Sequence, residues 1–117
     1  MCIRDRLTSK EKYVKDIDRC QQLMPHNKLF RPPYGRITQA QISLLKEKYK
    51  IILWDVLSWD FSKIINPKKV KQNILKNTKN GSIIVFHNNK KSFRNLSVLK
   101  ETLQELKKQG FCFSTTW

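Results

Sequence analysis

Two histidines, three cysteines and three glycines are all that this chain of 117 residues contains of those types, and each scarcity rules something out. Cys2, Cys20 and Cys112 form no C-x-x-C pair and are odd in number, so neither a disulfide framework nor a zinc motif follows from them. His26 and His87 lie too far apart in sequence to act as a local pair of metal ligands. No apolar run approaches the ~20 residues that a membrane-spanning helix needs. The first residues are polar and charged and show no secretory signal. Acid is scarce too: nine Asp and Glu stand against 24 Lys and Arg, a formal net charge of +15. Such an excess raises the question of a polyanionic partner. The excess is mostly lysine, however, spread along helical stretches, and its densest run, Lys63 to Lys79, contains no acid. Arginine is the usual choice for bidentate phosphate and base contacts. The lysines therefore read as solvated helix faces, and no nucleic acid partner is expected, while long-range attraction to an anionic surface stays open.

What is present is a soluble globular composition, 39% apolar and 28% charged, at the size of one domain. The opening MCIRDR joins no periodic pattern and resembles adapter-derived sequence at the ends of metagenomic assemblies. Residues 1–6 are read as a non-native leader, and 7–117 as part of a domain. Helix signals follow. Thr8 with Glu11 has the spacing of a capping box ahead of Tyr13, Ile17, Cys20 and Met24, and Thr38 with Gln41 repeats it ahead of Ile42, Leu45 and Tyr49. Asn66–Pro67 reads as N-cap and first helical residue, with Val70 and Ile74 facing inward. Asn95 opens a fourth helix carrying Leu96, Leu99, Leu103 and Leu106, and Gly110 ends it. Between the helices lie the short apolar runs KLF (28–30), KIILWD (50–55), GSIIVFH (81–87) and GFCFS (110–114), the last placing Cys112 in a core strand. Continuous apolar strands alternating with helices indicate α/β architecture with parallel strands, built of βα units. Four of each make half of a (β/α) barrel or a small open sheet, with no second domain.

In such architectures functional residues gather at the carboxyl ends of strands. Arg31 follows the first strand, Asp55 is read as ending the second, and His87 ends the third. Each taken alone has a structural explanation: a surface ion-pair partner, a turn residue, a satisfied strand-end histidine. Together they suggest a site in which His87 is a general acid and Asp55 favours its charged form. Arg31 would hold a further anion, and Trp59 and Val85 would offer apolar walls. Tyr34 and Gly35 close a rigid turn, FRPPYG, whose backbone N–H is able to face an oxyanion.

FRPPYG (30–35), WDVLSWD (54–60) and GSIIVFH (81–87), in this order and spacing, resemble the last three motifs of the polysaccharide deacetylases, the NodB-homology enzymes of carbohydrate esterase family 4. The closing LKETLQELKKQGF is similar to that family's terminal helix and strand. The resemblance implies the C-terminal half of a distorted (β/α) barrel, from a hydrolase that removes N- or O-acetyl groups from polymers such as chitin or peptidoglycan. It implies a divalent metal, often zinc, in the full-length protein, and a place in the cell envelope or outside the cell. It also implies roles. Arg31 would orient the carboxylate of the catalytic base, and the Tyr34 backbone would help bind the oxyanion. Trp59 and Val85 would line the acetyl pocket, and His87 would protonate the leaving amine with Asp55 setting its proton affinity. The family's Asp-Asp pair and its H-x-x-x-H ligands do not occur in this chain, so the piece is expected to be inactive alone. Ser58 stands where the family is often acidic, Val85 where leucine is usual, and Asn88 where aspartate is common after the histidine. Two rival readings are a catalytically dead carbohydrate-binding relative and a basic polyanion-binding module.

Overall fold

The structure is a computed structural model that describes residues 9–114. The leader expected at 1–6 and the cap expected at Thr8 lie outside the described residues. The elements run α1 (Lys10–Leu23), β1 (Leu29–Phe30), α2 (Gln39–Leu45), β2 (Lys50–Ile51), β3 (Val56–Leu57), α3 (Pro67–Asn77), β4 (Ile84–Val85) and α4 (Leu96–Lys108), with single 3-10 turns at Pro33–Gly35 and Phe93–Asn95. The chain forms two compact units, divided between Leu53 and Trp54.

In the first unit, α1 starts at Ser9, whose hydroxyl accepts the Lys12 N–H at 3.4 Å. The capping box of α2 forms as read: Gln41 N–H donates to Thr38 Oγ1, and Thr38 N–H donates to Gln41 Oε1. These bonds satisfy donors that a helix start otherwise leaves open. β1 and β2 pair in parallel, Leu29 opposite Lys50 and Phe30 opposite Ile51. Tyr13, Ile17, Phe30, Leu45 and Tyr49 form the core, with the Tyr13 and Phe30 rings edge-on at 6.3 Å. Full burial of a large apolar side chain contributes about 1.5–3 kcal/mol, so this small cluster carries most of what holds the unit. Met24, expected on the buried face of α1, is the exposed C-cap instead.

In the second unit, Asn66 caps α3 through Lys69 N–H at 2.9 Å, and Pro67 occupies the first turn. β3 pairs in parallel with β4, Val56 opposite Ile84 and Leu57 opposite Val85. Val56, Val70, Ile74, Val98 and Leu106 form the core. The buried face of α4 is Val98, Thr102 and Leu106, while Leu96 is 59% exposed. The leucine stripe thus meets the core only at Leu106.

Two strand expectations need correction. KIILWD is not one strand. Ile52 N–H still donates to Phe30 C=O, but Asp55 and Val56 N–H both turn to Ile83 C=O, so the run serves two different pairings. GFCFS is not a strand among the described residues. The Phe111 N–H bonds back to Leu106 C=O and Gly110 N–H to Lys107 C=O, with Gly110 at φ 91°. That is a Schellman closure of α4, and it leaves Cys112 exposed rather than in the core. The architecture is α/β with parallel strands, in two separate two-stranded sheets. No helix among the described residues is long and apolar enough to cross a membrane.

Candidate active site

The FRPPYG segment turns as its composition requires. Pro32 is buried, Gly35 N–H donates to Pro32 C=O and Arg36 N–H to Pro33 C=O, each at 3.0 Å. Tyr34 and Gly35 both take left-handed backbone, φ 56° and 67°. Glycine does so freely, whereas tyrosine there is strained. The residue is 83% exposed, and among the described residues nothing accepts its N–H. Arg31 leaves β1 with its Nε donating to Ile52 C=O at 3.3 Å, a bond that fixes the start of its side chain.

The second unit holds a tight polar cluster at the carboxyl end of β3 and β4. His87 follows β4, and its Nδ1 lies 2.7 Å from Asp60 Oδ1. Its backbone N–H donates to Asp60 Oδ2, also at 2.7 Å. The Asp60 side chain is 3% exposed and that of His87 33%. An ionised carboxylate is an acceptor only, so this contact suits an imidazole that carries its proton on Nδ1. Nε2 has no partner among the described residues. Ser58, fully buried, donates its hydroxyl to Asp60 Oδ1 at 2.9 Å and accepts the Asp60 N–H at 3.3 Å. Buried Asn95 donates its side-chain amide to the Asp60 backbone C=O. Phe61 packs edge-on against the His87 ring at 4.7 Å and lies 5.7 Å from Trp59. Trp59 is 45% exposed and, like Tyr34, has positive φ, 62°. Val85 is buried in β4.

Asp55 is not the partner of His87, and the expectation that it would be is corrected. It precedes β3 and lies beside Ile83, whereas His87 comes four residues after Ile83 along the neighbouring strand. At ~3.3 Å per strand residue the two ends are about 13 Å apart. Its carboxylate accepts Ser82 Oγ at 2.8 Å and Ile83 N–H at 2.7 Å. The serine bond above all holds its pKa below the ordinary carboxylate value, against the opposing effect of burial and with help from the Ile83 N–H and Lys79. Asp55 is thus a clasp at the start of the β3–β4 pair. The sequence reading missed Asp60, Phe61 and Asn95 and noted Ser58 only as a departure. Asp60 had a usable signal: it is the second acid of WDVLSWD and the one that follows the strand.

Among the described residues no group of three His, Cys, Asp or Glu side chains is placed to hold a metal ion. The residues on hand therefore do not fit the divalent metal that the resemblance implies.

No protein-family model and no curated protein matches the chain. Solved structures do. A peptidoglycan N-acetylglucosamine deacetylase matches with TM-score 0.84 and 22% identity, over 92% of this chain and 54% of its own. A peptidoglycan deacetylase from Bacillus subtilis matches with TM-score 0.69 and 27% identity, over 88% of this chain and 51% of its own. A pseudoenzyme of carbohydrate esterase family 4 from Bacillus anthracis matches with TM-score 0.78 and 18% identity, over 92% of this chain and 39% of its own. The chain thus spans about half the length of these proteins or less. The family read from the three motifs is the family these structures represent, and the chain has the fold of part of a carbohydrate esterase family 4 polysaccharide deacetylase.

Proposed function

We propose that the chain is a C-terminal piece of a metal-dependent polysaccharide deacetylase, a hydrolase that removes N- or O-acetyl groups from a chitin- or peptidoglycan-like polymer. In this reading the parent has the distorted (β/α) barrel of its family and works in the cell envelope or beyond it. The observation that carries the proposal is the Asp60–His87 pair, with Nδ1 held and Nε2 unengaged among the described residues. Hydrolysis of an acetamide needs a proton delivered to the departing amine. A solvent-reached imidazole whose far nitrogen is fixed by a buried carboxylate is suited to that delivery. Asp60 therefore takes the place first given to Asp55 beside His87, holding the orientation of the imidazole.

Further roles follow from the motifs. Arg31 would orient a carboxylate that acts as base, and the Tyr34 N–H, with no acceptor among the described residues, would face a developing oxyanion. Trp59 and Val85 would flank the acetyl group. A divalent metal would polarise the acetyl carbonyl when bound, on ligands that this chain's described residues do not provide. The chain by itself is accordingly expected to release no acetate.

The test is acetate release from N-acetylglucosamine oligomers by the chain joined to an amino-terminal portion that supplies base and ligands. His87→Ala should then lower the rate by about 10²–10⁴-fold. Release that is indifferent to His87, or absent with all ligands in place, would reject the reading. The pseudoenzyme among the structural neighbours favours one alternative, a carbohydrate-binding relative. That alternative predicts oligosaccharide binding without acetate release.

A further inference from the structure

We infer that Ser58 and Asn95 are positioning residues that hold Asp60 in a strained turn so that His87 keeps its proton on Nδ1 and presents Nε2. The inference takes the importance of His87 from the proposed function, but its geometry stands independently. Trp59, between Ser58 and Asp60, has φ 62°. A bulky residue persists in left-handed backbone only where its surroundings over-determine it. Here the surroundings can be named. Ser58 Oγ accepts the Asp60 N–H, Ser58 O–H donates to Asp60 Oδ1, and the Asn95 amide donates to the Asp60 carbonyl. These bonds seize Asp60 at its backbone N–H, its backbone C=O and its carboxylate, leaving the carboxylate with one orientation toward His87.

Asn95 is informative for a second reason. It occupies the N-cap of α4 yet makes no capping bond from its side chain. Its amide oxygen is buried without a partner among the described residues. A buried acceptor left open is costly, and a residue retained for packing or capping alone would avoid that cost. The amide is instead aimed at Asp60, 35 residues away in sequence. Relaxing the turn would let Trp59 return to ordinary backbone and carry the carboxylate away from Nδ1. The imidazole proton would then be free to move to Nε2, the nitrogen needed open.

The experiment is long-range ¹⁵N–¹H correlation of the His87 side chain in this chain, at a pH where the imidazole is neutral, with His26→Gln to remove the other histidine. A single Nδ1–H tautomer is expected. Ser58→Ala and Asn95→Ala should each raise the Nε2–H form about fivefold, the factor one net hydrogen bond makes in an equilibrium. Adding Trp59→Gly to Ser58→Ala should reverse part of that rise, because glycine adopts φ 62° without strain. A residue with only a structural role would not yield such rescue of the tautomer. Should Ser58→Ala fail to fold, the Ser58→Ala/Trp59→Gly double variant is compared with Trp59→Gly under the same criterion. A variant that stays folded and keeps the single Nδ1–H tautomer overturns the role of its residue, and a wild-type Nε2–H form overturns the whole inference. Since no activity is read, failure of the deacetylase reading is registered separately, by acetate release.

Discussion

Replacing Asp60 with asparagine should destabilise the second unit by about 2–4 kcal/mol, whereas the same change at Asp55 should cost less than about 1 kcal/mol. The Asp60 carboxylate accepts three bonds, from His87 N–H, His87 Nδ1 and Ser58 Oγ, in a nearly dry setting. An amide of the same shape has one acceptor oxygen and must turn its NH₂ toward part of this set. The geometry survives only if the imidazole moves its proton to Nε2 and the Ser58 hydroxyl rotates. Three charge-assisted bonds then become neutral ones, a loss of roughly 0.5–1.5 kcal/mol each. Asp55 is exposed and accepts two bonds. Its asparagine would keep the Ile83 bond, and water would replace the rest. Urea unfolding followed by Trp54 and Trp59 fluorescence, both in the second unit, measures the difference as a shift in midpoint at constant slope. An Asp55→Asn loss equal to or larger than that of Asp60→Asn would refute the assignment of the buried partner.

Three other outcomes are open to measurement. Because the folded-state pKa of Asp55 is lowered, its contribution to stability is present above the unfolded value and is lost as pH falls through the folded one. Acid titration should therefore destabilise the wild type more steeply than Asp55→Asn below about pH 4, and parallel curves would contradict the clasp. At Tyr34, glycine should be more stable than alanine by about 1 kcal/mol, since both remove the ring and only alanine keeps the strain of φ 56°; equal midpoints would deny the strain. Asn66→Ala should cost about 1 kcal/mol by freeing the Lys69 N–H, while Asn66→Asp should cost nothing because a helix start favours negative charge. An aspartate as damaging as alanine would reject the capping explanation.

How much of this was legible in the sequence depends on how far apart the deciding partners are. The caps at Thr38–Gln41 and Asn66–Pro67 join residues within one helical turn, and both form as read. The α4 stripe was half right, because Leu96, Leu99, Leu103 and Leu106 recur at helical spacing, yet the core takes the adjoining row through Val98 and Thr102. Both rows contain Leu106, so spacing alone does not separate them. The GFCFS run looked like a strand because it is a short run of consecutive apolar residues after a helix. A backbone bond from Phe111 to Leu106 instead gives the first of them to the end of α4.

The site turned on a question that no local pattern answers: where a strand stops. His87 was read at a strand end because the apolar run gives way to Asn88 and Asn89, and β4 does end before it. Asp55 was chosen because KIILWD looks continuous up to it. The chain changes hydrogen-bonding partners inside that run, from Phe30 to Ile83, and these partners lie more than 20 residues away on either side. Once β3 is moved to Val56–Leu57, the rule that chemistry gathers at carboxyl ends of parallel strands excludes Asp55 and selects the loop from Ser58 to Phe61. Within that loop only Asp60 carries a charge. The strand end supplied to that rule was misplaced, so the error fell on Asp55, whose position depended on strand register. It also hid Ser58 and Asn95, whose significance exists only relative to Asp60: a serine two residues before it and an asparagine 35 after it have no reason to be paired until the carboxylate between them is placed.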